Sequence, residues 1–303
     1  MSKRGGVIKV TSHLRDKDVA DRQKLIKGWR QEKLANTRVL VAGAGALGNE
    51  IVKNLIMLGI GKIYIVDFDT VVEANLNRCI FLRKADAKVN AYKAEALAKR
   101  AKEADPYGYI DIVPINKEIG VREDMINYTD DIYRNIDLIF SGVDNIVARV
   151  HLNIAAVYHR IPLIDGGMTP EIASVRDVIP PYTSCFGEEL NKSAWDIFYQ
   201  RASCSGKIFI DPFKAPSLAT TTSIAAGLMV HEALKIIFGI EDFKKFGKWK
   251  TPLGEPLAGK RLILNVSLNK SIVYEIPKRN DCPICGMGVE SYAPQVHVRE
   301  ETQ

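Results

Sequence analysis

The chain has 303 residues, 47% of them hydrophobic and 26% charged, so it can bury a sizeable core in one large or two joined domains. Its net charge of +6 is spread along the sequence without a long block of one sign, which gives no indication of a nucleic acid partner. No apolar stretch approaches the roughly 18 residues that span a bilayer, and the N-terminus has no signal-like apolar region, so we expect no membrane partner and a cytoplasmic location.

The first 37 residues are strongly charged, and they end in an amphipathic stretch from residue 21 to residue 34. Leu25, Ile26 and Trp29 fall at helical spacing in this stretch, so one of its faces can dock on a core. We therefore predict an N-terminal helical arm. Arg22 lies in it, and by itself would be a solvated helix charge.

The segment that follows the arm carries the most informative pattern. A short apolar run, Val39 to Ala42, leads into Gly43, Gly45 and Gly48; a helical pattern comes next, and a second apolar run ends at Asp67. Strand, glycine turn, helix, strand and carboxylate in this order are typical of a nucleotide-binding βαβ unit. Glycine allows the tight turn and a close approach of phosphate, the helix N-terminus attracts that phosphate, and Asp67 can take the ribose hydroxyls.

The glycine pattern alone leaves the nucleotide open, and an NAD(P)-dependent oxidoreductase is its default interpretation. The next residues favour a triphosphate. Arg78, in Asn75-Leu-Asn-Arg78, offers a planar guanidinium to phosphate oxygens, and Lys93 on a predicted helix can supply a second cation. Asp144 follows the apolar run Leu138 to Phe140, where a carboxylate at the end of a strand can hold Mg²⁺. The alternatives are an exposed helix lysine for Lys93 and a turn or cap aspartate for Asp144.

Alternating strand and helix signals continue to Ile164, and further strands are predicted at residues 172–179, 261–266 and 271–276, the last two as a hairpin. Residues 220–238 predict a long apolar helix in the core or in a dimer interface. We therefore predict a doubly wound, Rossmann-like α/β sheet that is parallel in its N-terminal half, with antiparallel strands added after residue 165.

Cys282 and Cys285 form a Cys-x-x-Cys turn near the C-terminus. Such a turn aims two thiolates at one metal ion and makes half of a tetrahedral zinc site. A redox pair or two buried thiols are the alternatives. Cys79, next to Arg78, is predicted to be a packing residue.

Four segments together resemble the E1-type activating enzymes, a family that includes the activators of ubiquitin-like proteins and the ThiF- and MoeB-type adenylyltransferases of sulfur-carrier proteins. They are Ala42 to Glu50, Asp67 to Thr70, Asn75 to Arg78 and Gly142 to Asn145. The resemblance covers residues 14–286. It implies that the chain uses ATP to adenylate the C-terminal glycine of a ubiquitin-like or sulfur-carrier β-grasp protein ending in Gly-Gly, and releases pyrophosphate.

The resemblance also implies roles by position. The glycine turn would line the phosphates, and Asn75, Arg78 and Lys93 would contact them. Asp67 would take the ribose, Asp69 would be a further nucleotide-binding residue, and Asp144 would hold Mg²⁺. The spacing from Arg78 to Lys93 is longer than is usual in the family, which makes Lys88 an alternative to Lys93. The family's N-terminal arginine matches Arg22, which would reach ATP in the other subunit's site of a homodimer.

A zinc site in this family has a second cysteine pair. Cys185 stands at the first position of that pair, but Glu188 stands at the second, so Cys204 is the remaining candidate and the predicted zinc ligands are Cys185, Cys204, Cys282 and Cys285. Cys204 has an alternative role as the nucleophile that converts the acyl-adenylate into a thioester. The family's usual nucleophile position holds Lys214 instead of a cysteine, and Cys204 lies ten residues upstream of it. If this chain forms a thioester with the carrier, its further partner would be an E2-like protein. If it forms none, the further partner would be a sulfur-donor protein.

These inferences divide the chain into four parts. We expect a helical arm at residues 1–37, an ATP-binding part at 38–165, a part with carrier binding, a crossover loop and the zinc site at 166–286, and a flexible tail at 287–303. A catalytically inactive scaffold is a further alternative, against which the intact Gly43, Arg78 and Asp144 argue.

Overall fold

One mixed β-sheet of eight strands organises the protein. The structure is a computed structural model that describes residues 17–120, 124–202 and 216–286. The strands lie in the order β3-β2-β1-β4-β5-β6-β7-β8. Their bounds are β1 Arg38–Ala42, β2 Lys62–Val66, β3 Asp111–Ile115, β4 Leu138–Ser141, β5 Leu163–Met168, β6 Ile172–Val178, β7 Lys260–Asn265 and β8 Lys270–Glu275.

The first five strands are parallel, and β6, β7 and β8 continue the sheet in antiparallel pairs. This arrangement confirms the predicted fold class, including the β7–β8 hairpin. The predicted boundaries of the four parts stay predictions, and the tail beyond residue 286 lies outside the described residues.

Eight α-helices are present in the described ranges. They are α1 Asp21–Lys24, α2 Gln31–Ala35, α3 Ala46–Leu58, α4 Lys84–Lys88, α5 Lys93–Glu103, α6 Ile146–His159, α7 Lys192–Ala202 and α8 Ala219–Phe246. Short 3-10 turns occur at Glu73–Asn75, Asp131–Asn135 and Phe186–Glu189.

The central strand β1 shows how the sheet is covered on both faces. Its residues from Val39 to Ala42 are fully buried, as expected of a parallel strand between two helix layers. Val39 and Val41 pack in the layer with α3, α5 and α8, whereas Leu40 and Ala42 pack in the layer with α6. Because successive side chains of a strand point to opposite faces, this alternation defines a doubly wound architecture.

Helix α8 is longer than predicted and lies in the core. It begins at Ala219, close to the predicted start, but continues to Phe246, where Gly247 ends it in a left-handed conformation with φ of 66°. Met229 packs so closely on Gly166 of β5 that a Cβ there would lie 2.1 Å from its sulfur.

We expected no apolar stretch of membrane-spanning length, and this expectation is wrong for α8. By length and composition alone, α8 is long and apolar enough to cross a membrane. More than half of its apolar window is buried inside the protein. Helix α8 therefore belongs to the core, in one of the two helix layers that cover the sheet.

The amphipathic stretch of the N-terminal arm is divided. It forms the two short helices α1 and α2, separated by a turn at Gly28 with φ of 87°. Leu25 is 55% exposed, so it does not dock. Trp29 does pack on the core, and its ring centroid lies 5.2 Å from that of Phe238 on α8. The left-handed glycine ends the helical periodicity that the apolar spacing indicated.

A core substitution tests the layer between the sheet and α8. Replacing the fully buried Ile51 of α3 with alanine removes apolar contacts and leaves a cavity, so Ile51→Ala should lower the free energy of unfolding by about 2–5 kcal/mol. Met57, on the same helix, is 46% exposed, and Met57→Ala should change it by less than about 1 kcal/mol. Urea denaturation measures both, and equal losses would contradict this description of the core.

Candidate functional site

The glycine turn between β1 and α3 is built from close backbone contacts. A Cβ on Gly48 would lie 1.8 Å from the carbonyl oxygen of Gly43, and one on Gly43 would lie 2.9 Å from that of Gly142. Gly43 also has a φ of 95°, which favours glycine. A Cβ on Gly45, by contrast, would meet nothing within 4 Å. Gly43 and Gly48 are therefore required by packing, and Gly45 faces open space.

The open side of this turn coincides with the start of a helix. Helix α3 begins at Ala46, and Gly45 at its N-cap supplies no side-chain acceptor. The free N–H groups of the first turn and the positive end of the helix dipole thus face outward. This arrangement suits an anionic group such as a phosphate.

Asp67, at the end of β2, is held against the turn. Its carboxylate accepts hydrogen bonds from the backbone N–H of Ala44 at 2.6 Å and of Asp69 at 2.8 Å. Burial raises the pKa of Asp67, and the nearby Lys93 ammonium and the two N–H donors oppose that rise. The carboxylate therefore joins the ends of two neighbouring strands at the predicted ribose position.

Lys93 is the first residue of α5, and its ammonium lies 2.6 Å from Asp69 Oδ2. Only 12% of the Lys93 side chain is exposed, although that of Asp69 is half exposed. The structure thus brings Lys93 to the carboxyl end of β2. Lys88, the alternative, is an exposed residue at the end of α4.

The segment with Asn75 and Arg78 forms a compact loop beside the turn. The Asn75 side chain is buried and accepts a hydrogen bond from the Val72 N–H at 3.0 Å. The Arg78 guanidinium donates to the Ala74 carbonyl and, at 2.9 Å, to the Asn77 side chain. The cysteine that follows, Cys79, is buried, and burial raises its pKa to about 11, as expected of a packing residue.

Asp144 lies in the loop between β4 and α6. It is exposed, and it pairs with no other side chain in the ranges that the structure describes. Asn145, next to it, caps α6 by accepting the Ala148 N–H at 2.7 Å. Strands β1 and β4 are neighbours, and the chain leaves them in opposite directions along the sheet, so their carboxyl ends form the crevice where open α/β sheets bind ligands.

Two residues that the sequence analysis did not assign to the site connect this edge of the sheet. Arg149 on α6 pairs with Asp165 of β5 at 2.9 Å and donates to the Gly166 carbonyl, also at 2.9 Å. The Ser141 hydroxyl donates to the same carboxylate at 2.8 Å. The sequence gives one indication of this contact, because Asp165 is a carboxylate that directly follows an apolar run ending at Ile164.

Arg22, on α1, is exposed in this single chain. Its predicted contact involves a second subunit and stays a prediction.

A cluster of potential metal ligands is formed by two chain segments that are distant in sequence. Ligand atoms of Cys185, Glu188, Cys282 and Cys285 all lie within 4.8 Å of one another. The sulfurs of Cys185 and Cys282 are 3.7 Å apart. A tetrahedral zinc ion with Zn–S bonds of about 2.3 Å would separate two sulfurs by about 3.8 Å, so the spacing fits.

Glu188 occupies the fourth corner of this cluster. One of its oxygens accepts the Cys185 backbone N–H at 2.7 Å, and the other accepts from the Cys285 thiol at 3.0 Å. The carboxylate is thereby oriented toward the three sulfurs. Cys204, the predicted fourth ligand, lies outside the described residues.

Comparisons with known proteins agree with this geometry. A model described as the ThiF family matches residues 18–283. Ubiquitin-like modifier-activating enzyme 1 of Mus musculus is 33% identical over 161 residues, which are 52% of this chain and 15% of that protein. Ubiquitin-activating enzyme E1 1 of Candida albicans (strain WO-1) is 32% identical over 161 residues, 52% of this chain and 16% of that protein. The chain thus spans about 15% of the length of these curated relatives.

Two solved structures share the fold. The crystal structure of E. coli MccB with ATP has a TM-score of 0.63 and 22% identity, covering 84% of this chain and 68% of that chain. A crystal structure of PaaA has a TM-score of 0.63 and 22% identity, covering 88% of this chain and 85% of that one.

A pair of glycine substitutions tests the turn. Gly48→Ala places a methyl group against the Gly43 carbonyl and should lower the free energy of unfolding by at least about 2 kcal/mol. Gly45→Ala adds the same methyl group in open space, so its unfolding midpoint should match that of the unmodified protein. Thermal denaturation compares them, and a stable Gly48→Ala variant would refute the close packing.

Proposed function

The chain belongs to the ThiF family, and from this premise we propose that it is an activating enzyme that uses ATP to adenylate the C-terminal carboxylate of a small carrier protein. One observation carries the proposal. The glycine turn, Asp67, Lys93 and the Asp144 loop all meet at the carboxyl ends of β1, β2 and β4.

The nucleotide would bind across this edge of the sheet. We propose that the turn of Gly43, Gly45 and Gly48 cradles the phosphates at the N-terminus of α3. Asp67 would take the ribose hydroxyls, with Asp69 beside it. Asn75, Arg78 and Lys93 would contact the phosphates, which requires Arg78 to exchange its contacts within the loop for phosphate oxygens.

The exposed carboxylate of Asp144 suits Mg²⁺, which prefers oxygen ligands and phosphate partners. Mg²⁺ bound there would neutralise the charge that develops on the triphosphate. The carrier carboxylate then forms a bond to the α-phosphorus while the bond to pyrophosphate breaks. The chain's contribution is to hold the two reactants in line and to surround the phosphorus with the cationic groups of Arg78 and Lys93.

The proposed carrier is a ubiquitin-like or sulfur-carrier β-grasp protein with a C-terminal Gly-Gly. The relative at 33% identity carries the name ubiquitin-like modifier-activating enzyme 1, which supports this class of substrate. A homodimer, in which Arg22 of one subunit serves the site of the other, belongs to the same proposal, as does a cytoplasmic location.

We further propose that the cysteine cluster binds Zn²⁺. The three thiols and the oriented Glu188 carboxylate provide the four ligands of a closed structural site. Cys204 would then be available for another role, such as forming a thioester before transfer to an E2-like protein. If Cys204 is a zinc ligand instead, the acyl-adenylate would pass directly to a sulfur-donor protein.

Pyrophosphate exchange tests the adenylation. With ATP, labelled pyrophosphate and a β-grasp protein ending in Gly-Gly, the protein should incorporate label into ATP only when the carrier is present. Asp144→Ala should slow this exchange by about 100-fold or more, because the Mg²⁺–triphosphate loses its carboxylate. Asp131→Ala, which removes a carboxylate that is exposed elsewhere, is the matched control. Exchange that is absent across a broad set of carriers would exclude the proposal.

Metal analysis of purified variants tests the zinc site. The unmodified protein should hold zinc in a 1:1 ratio, and Cys282→Ser or Glu188→Gln should reduce its zinc content and melting temperature. Cys79→Ala removes a buried thiol away from the cluster and should keep the metal. Zinc retained by Cys204→Ala but lost by Glu188→Gln identifies Glu188 as the fourth ligand, and the reverse identifies Cys204.

A further inference from the structure

Asn49, on the first turn of α3, connects the two loops that surround the proposed phosphate position. Its side chain is fully buried, although asparagine is normally an exposed residue. The side-chain amide donates to the carbonyls of Ala44 at 2.8 Å and Gly45 at 2.9 Å. Its oxygen accepts the Phe81 backbone N–H at 3.0 Å. All three contacts are to backbone groups of the turn or of the loop that carries Arg78.

The two donated hydrogen bonds, together with the first backbone bond of α3, orient the N–H groups of the turn. In a trans peptide, the carbonyl of one residue and the N–H of the next point in opposite directions. The Asn49 side chain draws the Ala44 carbonyl toward α3, and the Gly45 carbonyl accepts both from this side chain and from the Asn49 backbone N–H at 2.9 Å. The N–H groups of Gly45 and Ala46 are therefore directed away from α3, toward the open side. Among the residues that the structure describes, neither N–H donates to a protein acceptor.

The third hydrogen bond holds the Arg78 loop. Phe81 lies three residues beyond Arg78, and the Asn49 oxygen fixes its backbone to the same helix turn that orders the glycines. One buried side chain therefore sets the spacing between two N–H donors and one guanidinium.

We propose that Asn49 is a positioning residue for the triphosphate of the nucleotide. It acts by orienting the N–H groups of Gly45 and Ala46 and by holding the loop that carries Arg78, and it does not touch the ligand. This inference rests on the proposed function, since it assigns the triphosphate to the glycine turn.

Comparing two ligands distinguishes positioning from general stability. Asn49→Ala and Asn49→Asp should weaken ATP binding by at least about tenfold, because charge-assisted hydrogen bonds to the phosphates lose their alignment. The affinity for adenosine, which has no phosphate, should change by less than about twofold. Ile51→Ala, on the same helix, should lower stability while keeping both affinities.

Calorimetric titration of each folded variant measures these affinities. Equal weakening of ATP and adenosine binding, or no weakening of either, would overturn the inference. A lack of ATP binding by the unmodified protein would instead reject the proposed function.

A measurement on the unmodified protein covers the case in which the Asn49 variants do not fold. Saturating ATP, but not adenosine, should slow the hydrogen exchange of the Gly45 and Ala46 amides, which donate to no protein acceptor among the described residues. Unchanged exchange of both amides in the ATP complex would show that they do not bind the triphosphate.

Discussion

The close approach of backbone segments at the end of β1 is the constraint on which the rest of the site depends. Helix α3 can begin directly after the strand because Gly48 brings its backbone against the Gly43 carbonyl, where a Cβ would lie only 1.8 Å away. The chain after β4 can approach the same point because Gly43 has no side chain to meet Gly142. Asp67 then attaches the end of β2 to the turn through the Ala44 N–H. Any larger residue at these glycines would separate the strand ends and enlarge the crevice between them.

Helix α6 extends this framework from the nucleotide edge to the cysteine cluster. It starts at the Asn145 cap beside Asp144, and one turn later Arg149 fixes it to Asp165 of β5. Further along, the buried Asn153 side chain accepts the Phe186 N–H at 2.9 Å, next to the cluster's first cysteine. A metal ion that orders the cluster would therefore stabilise the helix that carries the Asp144 loop at its other end.

The features that the sequence predicted are those that depend on local periodicity. The β1–α3–β2 unit, the antiparallel extension and the ends of β6, β7 and β8 follow from apolar runs and turn residues. The apolar spacing of the arm does not reveal that it is divided into α1 and α2, with a left-handed residue, Gly28, between them. The roles of Asn49 and Arg149 depend on contacts between loops distant in sequence, which no periodicity reveals. In the sequence, Glu188 stood out only because it occupies a position where the family has a cysteine. Its orientation toward the three sulfurs became known only from the interatomic distances.

The central claim is that the glycine turn holds a nucleoside triphosphate, and a direct titration with competing nucleotides tests it. The turn, Asp67 and the predicted ribose contact are compatible with a dinucleotide, whereas Lys93 and Asp144 favour Mg²⁺ and a triphosphate. Isothermal titration of the protein with ATP in the presence of Mg²⁺, and separately with NADH, distinguishes the two. We predict saturable binding of ATP that weakens when Mg²⁺ is chelated, with no binding of NADH at the same concentrations. Saturable binding of NADH without binding of ATP would contradict this claim and support an oxidoreductase.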